Sequence, residues 1–474
     1  MGAVRHGLTP AGAVPTDDAV PTRGAAPATG APAGRVRRGL RAAAVAACTA
    51  ALLPVSAGAA YAEDDGDGAG TAGPTRYATA AEAEPVEGTA STADAPRIEA
   101  DSFYTDSIEP NETLYYSVVL DDVSGWFLSA VAAPAPGTRV ASSDGIRTEL
   151  RSTGGESCNN DSRTFAADDA ARPIAAWSTR VVDPDRSCQA AGTYLLEVSR
   201  TSEATSDPAP WPLELRVMRE PEVLGGDTAA PHPGTWLDEM PPAPTGTAER
   251  VTGGTGFNDA RSIGEGVWRD DIAPGQTLFY RVPVDWHQQP AVTVELANAP
   301  TGDGFTSVYR ALIAEVYNPA RARIVGVDSS YSGEQTLVEG FAPAPVAYDH
   351  RFEGDSEVTR ARFAGWHYLV IHLHREVEQV TDIESIGLTI RLSVTGEPPV
   401  EPPLYDGDPF AAGFGVTEED RRQAEEGLSE ADIAADRRDT RQLFGFAGIG
   451  AGVALLAVLG GWTLLGRRSA ARSG

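Results

Sequence analysis

The sequence predicts a mainly β protein in which two β-sandwich domains are followed by one C-terminal transmembrane helix. Three observations carry that reading. Over two long stretches, short apolar runs alternate with polar residues and are cut by Gly, Pro, Asn and Asp, the pattern of strands with one buried face. One segment nearly repeats another, "TDSIEPNETLYYSV" at 105 to 118 against "RDDIAPGQTLFYRV" at 269 to 282. Near the C-terminus, residues 444 to 465 form an uncharged apolar run long enough to span a bilayer.

In chain order, the first expected element is a signal peptide over 1–62 with a long n-region. "RVRRGLR" at 35 to 41 is cationic, "AAAVAACTAALL" at 42 to 53 is apolar but short for a span, and Ala60-Tyr61-Ala62 is an A-x-A site, so cleavage is expected between Ala62 and Glu63. Arg37-Arg38 leaves both general and twin-arginine export open. Residues 63–96, beginning "EDDGDGAGTAGPT", are acidic, small and poor in large apolar groups, as expected of a disordered arm that cannot offset the entropy of ordering.

A first β-sandwich module is expected over 97–222, with the runs "LYYSVVL", "TYLLEV" and "LELRV", and a Pro-rich linker over 223–250. A second module over 251–396 carries "LFYRVPV", "AVTVEL", "HYLVIHL" and "LTIRLSV". Residues 397–443 read as a Pro-rich and acidic stalk. Within it, "TEEDRRQAEEGLSEADIAADRRDT" opens with a Thr-x-x-Asp capping box but has almost no apolar stripe, which predicts a solvated helix. The span from Phe444 to Leu465 would be about 33 Å long at 1.5 Å per residue. Arg467 and Arg468, in the tail 466–474, put that end in the cytoplasm by the positive-inside rule. The expected product is a single-pass type I protein of the cell membrane with the bulk of the chain extracytoplasmic. Gly448-x-x-x-Gly452 admits close helix approach and weak self-association through the span.

The repeated segments agree at Asp106/Asp270, Ile108/Ile272, Pro110/Pro274, Thr113/Thr277, Leu114/Leu278, Tyr116/Tyr280 and Val118/Val282. Pro followed by Asn111 or Gly275 fits a type II turn, whose third position needs φ > 0, and the flanking strands read as a hairpin. After the turn, the shared Leu, Tyr and Val recur at every second residue, the apolar parity of a strand. What recurs is therefore a buried face plus a turn, one domain used twice rather than a pair of ligand sites. Tyr116 and Tyr280 are expected inside with each hydroxyl partnered, and Ser117 and Arg281 outside.

A Y-x-V strand after a Pro turn, a late G-x-Y-x-x-x-V strand ("AGTYLLEVSR" at 191 to 200) and a closing L-x-x-x-V strand ("LELRV" at 213) together resemble the bacterial pre-peptidase C-terminal domain. The resemblance covers roughly 98–220 and 253–396 and implies jelly-roll-like β-sandwiches. The first copy departs from it by a long, cysteine-bearing insert around 150 to 190, and no protease domain accompanies either copy. "GGTGFNDA" at 253 to 260 with "VPVDW" at 282 to 286 is similar to stretches of actinobacterial surface proteins associated with von Willebrand factor A-type domains.

Composition bounds the chemistry. With 67 acidic against 38 basic residues, a net charge of −29 repels nucleic acid. All the basic residues are arginine, which excludes Schiff-base catalysis by a side-chain amine, a P-loop lysine and Lys to Asn isopeptide crosslinks. Once Cys48 leaves with the leader, Cys158 and Cys188 remain as an even pair in an oxidising space; a disulfide is expected, with two free thiols as the alternative. The first module has no histidine, and the chain has no G-x-S-x-G, H-E-x-x-H or Walker loop. His372 and His374 share a strand parity as two metal ligands would, yet no third ligand is defined and a solvated sheet face accounts for them. "DDGDG" at 64 to 68 and "YDGDP" at 405 to 409 lack calcium-loop spacing. No catalytic, cofactor or metal residue is assigned. The expected function is non-catalytic presentation of two modules to an envelope protein or glycan, the alternative being an extracytoplasmic hydrolase or an accessory subunit of one.

Overall fold

The computed structural model describes residues 75–166, 170–225, 240–301, 307–399, 402–429, 432, 433 and 462. The leader, its cleavage site at Ala62 and Glu63, and the span from Phe444 to Leu465 with Arg467 and Arg468 lie outside them, Trp462 apart. Among the described residues no helix is long and apolar enough to cross a membrane.

The alternating runs fold as strands. In the first module these are β1 (Glu84–Pro85), β2 (Ser102–Ile108), β3 (Thr113–Leu120), β4 (Gly125–Ala132), β5 (Gly145–Ser152), β6 (Ser157–Thr164), β7 (Ile174–Arg180), β8 (Gly192–Thr201) and β9 (Trp211–Glu220). A short β10 (Val223–Leu224) leads out. The second module contains β11 (Glu249–Arg250), β12 (Arg261–Ser262), β13 (Gly266–Ile272), β14 (Thr277–Val284), β15 (Gln289–Leu296), β16 (Val308–Tyr317), β17 (Arg323–Tyr331), β18 (Thr336–Phe341), helix α1 (Ser356–Arg360), β19 (Gly365–Leu373) and β20 (Ile386–Thr395). β21 (Leu404–Tyr405) and helix α2 (Glu418–Glu425) follow.

Each module is a sandwich of two sheets. The order β1-β2-β9-β4-β7 faces β3-β8-β5-β6 in the first, and β11-β13-β20-β15-β18 faces β12-β14-β19-β16-β17 in the second. Most consecutive strands change sheet, which is a jelly-roll order. The hairpin expected at the repeated turn is therefore corrected. β2 pairs with β9 and β3 with β8, so the turn crosses from one sheet to the other, as does the turn between β13 and β14. The turn itself has the expected form. The Glu112 amide donates to the Glu109 carbonyl at 3.2 Å and that of Gln276 to Ala273 at 3.0 Å, with Asn111 at φ 60° and Gly275 at φ 80°.

Crossing the core explains the repeated Asp. Tyr116 and Tyr280 are fully buried, and each hydroxyl reaches across to the opposite sheet, to Asp106 and Asp270, at 2.7 Å. The same carboxylate oxygens accept the amides of Gly88 and Gly253, also at 2.7 Å. Glycine is required there, because a Cβ would lie 2.7 Å from the Tyr116 ring and 2.9 Å from that of Tyr280.

Gly88 belongs to the segment expected to be a disordered arm, and that expectation is corrected over 75–96. β1 pairs in parallel with β2 as β11 does with β13, and Val86 and Val251 donate to equivalent carbonyls of Thr105 and Arg269. The modules thus begin at Glu84 and Glu249, earlier than 97 and 251. Backbone pairing orders this edge, which needs few large side chains.

β4 and β7 are buried at every position, and β19 at all but one, although a sandwich strand ordinarily shows one face to water. The cause is a second layer contact. The outer face of the β4/β7/β9 sheet, with Phe127, Val131, Ala175 and Trp177, packs on module 2 residues that include Phe257, Phe279, Tyr368 and Phe363. The described chain is a stack of four sheets, two modules joined face to back.

The expected solvated stalk is also corrected. β21 pairs antiparallel with β10, and Phe414 enters the aromatic group of Phe127 and Phe363 at 5.9 and 5.3 Å. Helix α2 has the expected capping box at Thr417 and Asp420 but is not free in solvent. Asp420 accepts the Trp366 indole N–H at 3.1 Å, Arg421 donates to Asp285 at 2.6 Å, and Ala424 is buried. The segment lacks an apolar stripe because its docking is largely polar.

Candidate functional site

The seam between the modules holds a concentration of buried charge, Glu214, Glu220, Glu315, Arg321, Arg351 and Arg362. Glu214, on β9, points out of its sandwich and is fully buried beneath the second module. It accepts from the guanidinium of Arg321, from Asn258 at 2.8 Å, from the Ala80 amide at 2.7 Å and from the Tyr77 hydroxyl at 3.2 Å. Burial works to lower the Arg321 pKa, but the Glu214 carboxylate, together with Tyr77 and Tyr368, outweighs it and raises the pKa. Arg351 makes a two-pronged bond to Glu220 at 2.9 and 3.0 Å, and the Tyr405 hydroxyl closes on the same carboxylate at 3.0 Å.

At the far side Glu315 accepts Arg163 from the other module at 2.8 Å, its own module's Arg323 at 2.6 Å and the Tyr317 hydroxyl at 2.8 Å. Burial would raise its pKa; Arg163, Arg172 and Arg323 together hold it down at about 2. Arg360 adds a bond to Asp161 at 2.9 Å. Arg321 and Glu315 are strongly perturbed, yet each group of the seam described here is satisfied by a partner, and several of those partners come from the other module. They hold the two bodies in register.

His372 and His374 do not stand on a solvated face, as the sequence led one to expect. His372 is 2% exposed. Its Nδ1 lies 2.9 Å from the Thr277 hydroxyl. Burial, then Arg172 and His374, keep its pKa well below the ordinary value. His374 instead caps a short 3-10 turn, its Nδ1 accepting the Glu376 amide at 3.1 Å. No group of three or more His, Cys, Asp or Glu able to hold a metal stands among the described residues.

Cys158, on β6, is bonded to Cys188 in the loop before β8, with a Cα separation of 5.5 Å. Pro110, Pro274, Tyr116 and Tyr280 serve the turn and core already described and do not converge on a common site.

Clefts large enough for a ligand among the described residues include these two. One, of about 270 Å³, lies where Tyr77 and Glu214 meet the seam, and is walled by Pro134, Pro136, Asp207 and Trp211. It is mostly apolar. Its aromatic floor comes from Trp211, on whose ring the Arg200 guanidinium stacks at 3.7 Å. The other, of about 430 Å³, is acidic, with Asp101, Asp121, Glu222, Asp406 and Asp408, and Arg219 as its cation. Neither cleft was legible in the sequence, because each joins segments more than 100 residues apart.

No protein-family model matches the chain, and no curated protein matches it. Among solved structures the chain is similar to the N-terminal CBM22-1-CBM22-2 tandem domain of Paenibacillus barcinonensis Xyn10C, at 14% identity over 62% of this chain and 85% of that one, with a TM-score of 0.17. It is also similar to the CUB1-EGF-CUB2 domain of human MASP-1/3, at 7% identity over 61% and 99% with a TM-score of 0.15. A third likeness, at 9% identity, is to the M60 catalytic domain with two CBM51 domains of Clostridium perfringens ZmpB, covering 61% of this chain and 34% of that one with a TM-score of 0.15. TM-scores this low leave the architecture to be argued from the strands themselves.

Proposed function

We propose that the protein is a membrane-anchored, single-pass surface protein whose two sandwich modules act as one rigid, non-catalytic body that binds an envelope protein or glycan. The observation that supports this most is the use made of the perturbed groups. In an enzyme, strongly shifted acids, bases and cations gather in an open cleft. Here Glu315, Arg321 and Tyr317 are buried at the seam with partners, His372 is buried beside it with Nδ1 at the Thr277 hydroxyl, and Glu214, one of the two carboxylates lining the apolar cleft, is bound to Arg321.

The cleft beside Tyr77 and Trp211 is the proposed contact, being apolar and of ligand size. Kinship of the modules with the pre-peptidase C-terminal domain, and an actinobacterial type of surface protein, belong to the same proposal. So do the cleaved leader, the anchor at 444 to 465 and the extracytoplasmic position of both modules. Weak self-association through the span is the remaining part.

The reading is tested by crosslinked capture from intact membranes with the full chain and with Ala135→Trp, which fills the cleft mouth. One partner captured by the first and lost by the second supports it; equal capture by both, or turnover of a glycan or peptide by the purified chain, overturns it. Protease added to intact protoplasts should remove nearly all the mass of the chain, and protection of the modules would refute the topology.

A further inference from the structure

Other arginines at the seam have acceptors: half-buried Arg216 donates to the Pro319 carbonyl at 2.9 Å, and buried Arg321 and Arg351 donate to Glu214 and Glu220. Arg362 differs. It follows α1 and is 2% exposed, with its guanidinium carbon 4.8 Å from the Trp177 ring centre and 5.4 Å from those of Phe127 and Phe363. Among the described residues it donates to no carbonyl or carboxylate, and its Nε is buried without a partner. Ring faces attract a cation but cannot accept from its N–H edge, where a guanidinium carries five donors.

The charges nearest to it do not fill the gap. Arg351, Glu220, Arg186 and Arg360 lie within electrostatic reach, but the three arginines already hold carboxylates, Glu220 at 2.9 Å, Asp183 at 3.1 Å and Asp161 at 2.9 Å, so the one acid that acts on Arg362 is bonded to Arg351. Among the described residues Arg362 is the one of these four arginines that bonds no carboxylate, in a chain with a net charge of −29. Burial, then Arg351, pulls its pKa down to about 9, so it remains charged at neutral pH. A buried guanidinium that shares its nearest carboxylate with another arginine and has no hydrogen-bond acceptor is costly, and an anion from solution removes that cost.

We infer that Arg362 anchors a binding site for a small oxyanion, such as phosphate or sulfate, at the seam between the modules. The ligand would accept from the guanidinium edge while the rings of Phe127 and Trp177, from the first module, hold the cation in place. The approach is beside Arg186, 45% exposed, whose guanidinium donates to the Arg351 carbonyl at 3.4 Å. Because ring box and cation come from different modules, occupancy ties the modules together.

The test uses the purified full chain, with inorganic phosphate and sulfate titrated as separate arms against sodium chloride of equal ionic strength. A saturable rise in Tm is expected, about 4 °C at a hundredfold excess over Kd for a unit of this size. Arg362→Gln should lose the saturable part, and Arg250→Gln, at an exposed arginine of β11 paired with Asp271, should keep it. Should Arg362→Gln fail to fold, broadening of the phosphate phosphorus resonance by the unmodified chain, reversed by sulfate, reads occupancy directly. The inference is overturned if neither anion gives more than the chloride control in Tm and linewidth, or if folded Arg362→Gln responds as the unmodified chain does.

Discussion

Glu149 and Glu315 hold the same place in the two modules, opposite Glu197 on β8 and Val370 on β19. Glu149 lies on the outer face of the stack and pairs with Arg147 at 2.8 Å and Arg151 at 4.0 Å, side chains that are 47% and 31% exposed. Glu315 faces the other module and takes Arg163 from it. The same substitution of surroundings runs along the sheet. Glu197 corresponds to Val370, Tyr115 to Phe279, Phe127 to Ala291, and Glu214 to Thr389, each pair differing in whether its position looks into the seam. The modules share a topology, yet they meet through different faces, a heterologous contact within one chain. Inner positions repeat because the core is the same; outer positions diverge because only one face of each module is covered.

The comparison first predicts equality inside. Tyr116→Ala and Tyr280→Ala should each cost about 4 to 5 kcal/mol in calorimetric unfolding of the full chain, since each removes an aromatic core side chain and strips an Asp, half-buried at 106 and buried at 270, of its hydroxyl partner. A large cost in one module only would break the claim of a shared core. The comparison next predicts inequality outside. Arg321→Ala should cost about 3 to 4 kcal/mol by leaving Glu214 as a buried, unpaired carboxylate. Thr389→Ala, at the place in module 2 that corresponds to Glu214, should cost about 0.5 kcal/mol or less. Equal costs would mean that the seam is not what separates the two faces.

Much of the inner arrangement was legible in sequence. Leu114, Tyr116 and Val118 gave the buried parity, Pro110 with Asn111 gave the turn, and Cys158 with Cys188 the crosslink. Partners at long separation were not legible. Nothing local marks Arg321 as the ion pair of Glu214, and a Pro turn reads alike whether it closes a hairpin or crosses between sheets. The seam did leave a trace: "WFLSAVA" on β4 and "YLVIHL" on β19 are apolar at both parities, as strands covered on both sides must be, whereas "VTVEL" on β15 alternates. The ordered start of the first module also left one, in Val86-x-Gly88 matching Val251-x-Gly253. It was masked by a composition too small and acidic to suggest burial.

A smaller effect separates the modules by pH. Tyr194 and His367 occupy one core place, opposite Val118 and Val282. The Nδ1 of His367 faces the Gly365 carbonyl at 3.2 Å while Nε2 is buried without a partner, and burial pulls the pKa down to about 4. In the unfolded chain the same imidazole titrates near 6.5, so between pH 6.5 and 4 the unfolded state holds more protons and stability falls as pH falls. At pH 5 the loss from this residue is roughly 2 kcal/mol. His372, depressed in the same direction, adds to it. His367→Tyr, the residue of the first module, should remove about half of the fall in Tm between pH 7 and 5; an unchanged pH profile would assign the acid sensitivity elsewhere.

The smallest expected effect is the sharpest test of outer parity. Alternation assigns Ser117 and Arg281 alike to the outside, and on that reading neither should matter much. The structure separates them. The Ser117 hydroxyl rests at 3.1 Å from the Ala95 carbonyl on the half-exposed outer sheet. Arg281 is 7% exposed. Its Nε donates to the Ser262 hydroxyl at 2.9 Å, and its guanidinium stacks 4.3 Å from the Trp366 ring, whose indole N–H is bound to Asp420 of α2. Arg281→Ala should therefore cost about 1 to 2 kcal/mol, through the lost charged hydrogen bond and cation–π contact. Ser117→Ala should cost about 0.5 kcal/mol or less. Because part of the first cost is carried by the docked helix, Asp420→Ala should lessen the penalty of Arg281→Ala in a double-mutant cycle. Strict additivity of the two substitutions would mean that α2 does not cover this face, and the outer side of β14 would then be free for a partner.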